Sequence, residues 1–179
     1  DRSAETAPLI EESIQKIVDV SDSISSLDFY QTLFKNTITG TFSELADSPD
    51  AAAFSPKIKE LIADTPVINV KVYLEIPKEP SDMNVLLENE NLKDTFLSLD
   101  QVRGTYWYGI FRGSRVSQLF CPSFYLGAKE QKTYGDQAYI THASVIYDSG
   151  TYDAYIAVYY SGDEFQQILS ENQTLDGSV

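Results

Sequence analysis

The chain has 179 residues, of which 42% are hydrophobic and 12% aromatic, a composition that supports one packed core and excludes a disordered chain. Its formal net charge of -14 repels phosphate backbones and anionic lipid head groups, so no nucleic acid is expected as a partner. The single cysteine, Cys121, excludes an internal disulfide, and its aromatic setting (LFCPSFYL) reads as that of a plain buried residue.

In chain order, Thr6-Ala7-Pro8 suits a helix start, because proline is tolerated in the first turn. Ile10, Ile17, Ile24 and Gln31 recur every seven residues, and Ser13, Val20, Leu27 and Phe34 do so in a second register. Their combined steps of three and four predict a long helix over 5–36, uninterrupted by proline or glycine from 9 to 35. Such a helix, about 42 Å long at 1.5 Å per residue, covers the domain's own sheet or pairs in part with a second copy of the chain. Residues 36–56 read as a loop with a short helical piece, and a short helix is expected at about 56–63 before Thr65-Pro66.

The sheet domain is expected over 66–161. Ile68, Val70, Val72, Leu74 and Ile76 alternate with Asn69, Lys71, Tyr73 and Glu75, the pattern of a half-buried strand. A helix is expected from Asn84 to Ser98. Four further strands are placed at about 105–112, 116–126, 137–147 and 152–161, with RGSR linking the first pair and DSGT forming a tight hairpin whose glycine supplies positive φ. Ser161 and Glu164 form an S-x-x-E capping box, which starts an exit helix over 162–172 with Phe165, Ile168 and Leu169 on one face. The whole, 1–179, reads as a single α+β domain. A long N-terminal helix packs on a five-stranded antiparallel sheet of PAS-like shape, with helices on one side.

Enzymatic signatures are missing. The chain has no G-x-S-x-G elbow, no phosphate-binding glycine loop, no C-x-x-C and no calcium loop, and its lone histidine, His142, has no partner at metal-ligand spacing. No catalytic residue, metal or cofactor is expected. What stands out is a concentration of aromatic and polar residues in the β-rich half: Arg103, Tyr106, Trp107, Tyr108, Arg112, Tyr125, Tyr139, His142, Tyr147, Tyr152, Asp153, Tyr155, Tyr159 and Tyr160. Aromatics with a few polar groups make small-molecule pockets, although tyrosine also covers sheet faces for its β propensity alone. Trp107, Tyr125, Tyr139, His142 and Tyr155 are the candidate ligand-binding residues. Alternation puts Tyr139 and His142 on opposite faces, so only one of them lines a given cavity.

The stretch IYDSGTYDAYIAVYYSGDEFQQIL resembles the final hairpin and exit helix of extracellular Cache sensor domains, where the helix leads into a transmembrane segment. YWYGIF is similar to that family's tryptophan-bearing strand. IVDVSDSISSLDFYQTLF and SPKIKELIADTPVINVKVYL are similar to the sensor region of YesM-like bacterial histidine kinases, which are often linked to sugar-utilisation loci. The resemblance spans nearly the whole chain. It implies a ligand-sensing domain on the extracellular side of the cell membrane, flanked by membrane spans outside 1–179, paired with a second copy of itself and binding a small molecule. Amino-acid-binding members carry an R-x-W spacing and a last-strand aspartate; here Arg103 stands four residues before Trp107 and the last-strand position is Tyr159, a departure from amino-acid recognition, and the tyrosines suit a neutral ligand such as a sugar. A chemoreceptor sensor and a surface interaction module without signalling output are the alternative readings.

Overall fold

The computed structural model describes residues 2–78 and 81–163, with side chains from residue 11 onward. Helix α1 spans Arg2–Ser25. Its inner face follows the sequence stripe: Ser13, Ile17, Val20 and Ile24 are all buried. The helix does not run on to residue 36. The Ser25 and Ser26 hydroxyls both donate back to the Asp22 carbonyl, at 2.6 and 3.2 Å, competing with the backbone ladder. Leu27 then turns extended, and the chain restarts as α2 (Asp28–Tyr30), which continues into a π turn over Gln31–Lys35. This second piece inserts Phe29 beside Phe54 and Phe96, with ring centroids 5.3 and 6.0 Å away.

Strand β1 (Thr37–Ile38) and helix α3 (Phe42–Ala46) follow. Helix α4 (Pro49–Ile62) starts seven residues before the expected Pro56. The reason is local: Ser48 caps it through a bond from the Ala51 N–H, and Pro49 occupies the first turn. Strand β2 covers Val67–Leu74. In place of the helix expected over 84–98 there is one turn, α5 (Val85–Glu88), then strand β3 (Phe96–Ser98). The Asn89 side chain accepts from the Asn91 N–H at 2.8 Å, an Asx turn that stops the helix. Next come α6 (Tyr106–Gly113), β4 (Gln118–Cys121), α7 (Ala128–Thr133), β5 (Gln137–Tyr147) and β6 (Gly150–Tyr160).

The sheet is mixed and six-stranded, in the order β1-β5-β6-β2-β3, with β4 also on β5. β2, β4 and β5 run antiparallel to their neighbours in the β2–β6, β4–β5 and β5–β6 ladders, whereas β1 is parallel to β5 and β3 to β2. The all-antiparallel five-stranded sheet is therefore corrected. The strand expected over 105–112 is instead helix α6 behind its cap Thr105, and two short strands arise where loop and helix were expected.

Helices also cover both sheet faces, not one. Val70, Val72, Leu74, Tyr139, Val145, Ile156, Val158 and Tyr160 join α1, α2 and α4 in one core. Tyr73, Ala138, Ile140, Tyr155, Ala157 and Tyr159 join α6 in a second. Gly162 and Asp163 are helical; Phe165, Ile168, Leu169 and the rest of the expected exit helix lie outside the described residues.

The β5–β6 hairpin pairs Tyr147 with Gly150. Its positive φ values fall on Asp148 (50°) and Ser149 (63°), not on the glycine. Both central residues of a two-residue primed turn need that conformation. Gly150 serves a different purpose, because a Cβ there would come within 2.7 Å of the Tyr152 hydroxyl. Ser149→Gly is expected to stabilise the domain by about 0.5–1 kcal/mol, read from the urea midpoint at unchanged slope.

Candidate ligand-binding groove

The second core begins with α6. Its sequence, YWYGIFRG, has strand-like composition, yet Thr105 caps a helix by accepting from the Tyr108 N–H at 3.3 Å. Trp107, Tyr108 and Phe111 then fall on one helical face and are buried. Trp107 lies edge-on to Tyr155 at 5.5 Å and to Phe111 at 6.0 Å. Tyr155 also meets Tyr108 at 5.7 Å and Phe111 at 5.0 Å, so one strand tyrosine seats the whole helix.

Below this cluster is one buried acid, Glu130 of α7, which is 3% exposed. It accepts from the Trp107 indole N–H at 3.1 and 3.2 Å, from the Tyr159 hydroxyl at 2.5 Å and from the Gly127 N–H at 2.8 Å. Tyr73 and Tyr159 hydroxyls lie 2.7 Å apart. Because Tyr159 gives its proton to Glu130, Tyr73 is the donor in that pair. Burial pushes both phenols far above their ordinary value, which keeps them protonated as donors. After α7 the chain passes close over β6: a Cβ on Gly135 would lie 2.9 Å from the Tyr160 carbonyl.

A groove of about 360 Å³ opens at the C-terminal end of α6. Phe111 and Arg112 form one wall, the 114–117 loop another, and His142, Asp153 and Tyr155 the floor. The loop is stitched to the sheet by the His142 N–H, which donates to the Ser117 carbonyl at 3.0 Å. His142 stands opposite Tyr155 in the β5–β6 register, and its ring lies over the tyrosine at 5.0 Å. The His142 Nε2 bonds the Asp153 carboxylate at 2.8 Å, and the Asp153 N–H donates to Glu75 at 2.9 Å. Burial, then the nearby Asp153, pushes the Tyr155 phenol up to about 12, so it stays neutral. Arg103 is already engaged, donating to Asp100 at 2.6 Å and to the Tyr108 hydroxyl at 3.0 Å. Arg112 and Arg115 are exposed and make no ion pair among the described residues. A wider depression of about 390 Å³ lies near Asn69 and Asp136. Two of its polar groups are already engaged: Asn69 bonds the Tyr134 carbonyl and Asp136 accepts from the Gly162 N–H, each at 2.7 Å.

Of the five candidate residues, the fold brings His142 and Tyr155 together in the groove. Trp107 is fully buried and lines no part of it. Tyr125 sits half-buried in a 3-10 turn, against Tyr106 at 4.9 Å and the exposed Phe124 at 4.8 Å, and is also outside the groove. Tyr139 belongs to the opposite sheet face, as alternation requires, and donates to Gln118 at 2.9 Å. Arg115, Ser114 and Ser117 were not among the candidates, because RGSR reads as a plain connection between strands. The signal for them was two arginines flanking a glycine in an otherwise acidic chain. Among the described residues, no group of three or more histidine, cysteine or acidic side chains is placed to hold a metal.

Two outcomes follow from the buried groups. Glu130→Ala strands the Trp107 and Tyr159 donors and should cost about 3–5 kcal/mol in urea unfolding, while Glu130→Gln keeps an acceptor and should cost less. Burial, then Glu130, raises the Cys121 thiol to about 12, so a thiol reagent at neutral pH should label it only on unfolding. Compared with known proteins, the chain matches no family model, no curated protein and no solved structure.

Proposed function

We propose that this chain is the extracytoplasmic sensing domain of a bacterial membrane receptor, a two-component histidine kinase by its resemblance to YesM-like sensors, and that it binds a small molecule in the groove. One observation carries the reading. Strand β6 places Asp153 and Tyr155 in the groove, and seven residues after Tyr155 the chain enters a helix at Gly162. The same strand thus joins the candidate site to the segment that the Cache resemblance assigns to membrane attachment. The role of the hairpin and its exit helix is taken from the resemblance; YWYGIF, likened there to a tryptophan-bearing strand, is instead helix α6. Ligand binding shifts such a domain only by its differential affinity for two arrangements.

Pairing with a second copy belongs to this reading, but not through the seam first expected. Ile17 and Ile24 are fully buried in the domain's own core. On the outward side of α1, Ile14 is 36% exposed. In a Cys121→Ser background, Ile14→Cys in the membrane-bound receptor should form intersubunit disulfides, and Ile17→Cys should not. Cross-linking at Ile17 alone would overturn this geometry.

The rival reading, a surface interaction module without signalling output, is favoured by one feature: Phe124 and Tyr106 are 76% and 62% exposed beside Tyr125. The two readings part in the whole protein. For a sensor, Cys substitutions at exposed Lys57 or Ser149 in the full receptor are expected to be labelled by a membrane-impermeant thiol reagent on intact cells. Mutations in the groove should also change output. Labelling with no effect of groove mutations on any output, together with loss of partner capture in Phe124→Ala, favours the interaction module.

A further inference from the structure

The groove's charge is opposite to that of the chain. In a protein of net charge -14, Arg112 and Arg115 both line the groove without an ion-pair partner among the described residues. The acid that shares the groove lining with them, Asp153, is already bonded to His142 at 2.8 Å. Arg103, the neighbouring arginine, is held by Asp100 and is not offered to the groove. An arginine is a planar fork of donors matched to a carboxylate or phosphate, and two of them flanking a concavity form an anion clamp. The remaining lining is polar: Ser114, Ser117 and the His142–Asp153 pair suit hydroxyl groups. The Tyr155 ring is only 3% exposed, so it offers little face to a neutral sugar. A volume of about 360 Å³ suits a single small ring and not an oligosaccharide.

From these features we infer that the groove takes a sugar oxyanion, a polyhydroxylated body whose carboxylate or phosphate is held by Arg112 and Arg115 and whose hydroxyls meet the His142–Asp153 pair. The inference rests on the sensor reading only in assuming that the groove holds a ligand, and it replaces the lean to a neutral sugar.

The test uses the 1–179 chain in titration calorimetry and thermal shift, with galacturonate and glucose 6-phosphate as anionic probes, and glucose and galactose as neutral ones. The anionic probes should bind and raise the melting temperature, and the neutral ones should bind at least tenfold more weakly. The better of the two anions tells a carboxylate from a phosphate source. Arg112→Gln and Arg115→Gln should each weaken the anion by about ten- to hundredfold, the loss of charge-assisted hydrogen bonds. Lys57→Gln, an exposed cation on the opposite face, should change affinity little. Circular dichroism of each variant separates loss of binding from loss of fold. Equal affinity for neutral and anionic sugars, with the arginine variants unchanged, overturns the oxyanion while leaving a sugar sensor. Binding of neither class also overturns it. The sensor reading itself stands or falls separately, on membrane topology and on the receptor's output.

Discussion

The β-rich half depends on one buried carboxylate. Glu130 collects donors from three places in the chain: the indole of α6, the start of its own helix and the penultimate residue of β6. A buried acid without an adjacent cation is costly unless its oxygens are satisfied, and here neutral donors satisfy them. Among the described residues no buried side-chain polar atom is left without a partner. The geometry is correspondingly strict. Trp107 has one N–H, and its bond to Glu130 seats α6 over the sheet and so helps to set where Phe111 and Arg112 end.

From this constraint the tyrosines divide by role. Tyr73 and Tyr159 are structural, forming a relay of hydroxyls that ends on Glu130. Tyr139 and Tyr160 fill the opposite core against the N-terminal helices. Only Tyr155 both packs under α6 and borders the groove, where His142 covers its ring. The crowding of tyrosines in the last hairpin thus reflects a sheet covered on both faces. Many strand positions are filled by bulk, although Ala154 and Ala157 stay small, and Tyr159, facing Glu130, also supplies a donor. A phenol supplies both.

Periodicity made β2, β5, β6 and the inner face of α1 readable, because each spans enough residues for its period to show. It failed where a local hydrogen bond outweighed propensity. Thr105 turned a β-prone aromatic run into α6, serine back-bonding divided the N-terminal helix, and an Asx turn at Asn89 shortened α5. The short parallel strands β1 and β3 were not legible, since two or three residues carry no period and take their partners from the tertiary fold. In the site, His142 and Tyr155 could be chosen from composition and alternation. The groove arginines could not be ranked, because the feature that marks them, the lack of an ion-pair partner among the described residues, is a property of space and not of spacing.

In the proposed sensor, a rigid core and a responsive site would share one strand. β6 is hydrogen-bonded on both sides, to β5 and to β2, and cannot bend easily within the sheet. Movement induced at the groove is more easily absorbed by α6 and the loop after it, which lie over the sheet and carry the exposed arginines. α6 is tied through Trp107 to Glu130, and Glu130 to Tyr159, next to the end of β6. A shift of α6 in such a sensor would load the Trp107–Glu130–Tyr159 bonds near the end of β6, without breaking a sheet ladder. The alternative route, through the ladder itself, would require several backbone hydrogen bonds to yield together. One bifurcated indole bond and one phenol bond cost far less to reorganise. In the proposed sensor, the buried acid that seats α6 is thus also a side-chain link between the groove and the end of β6.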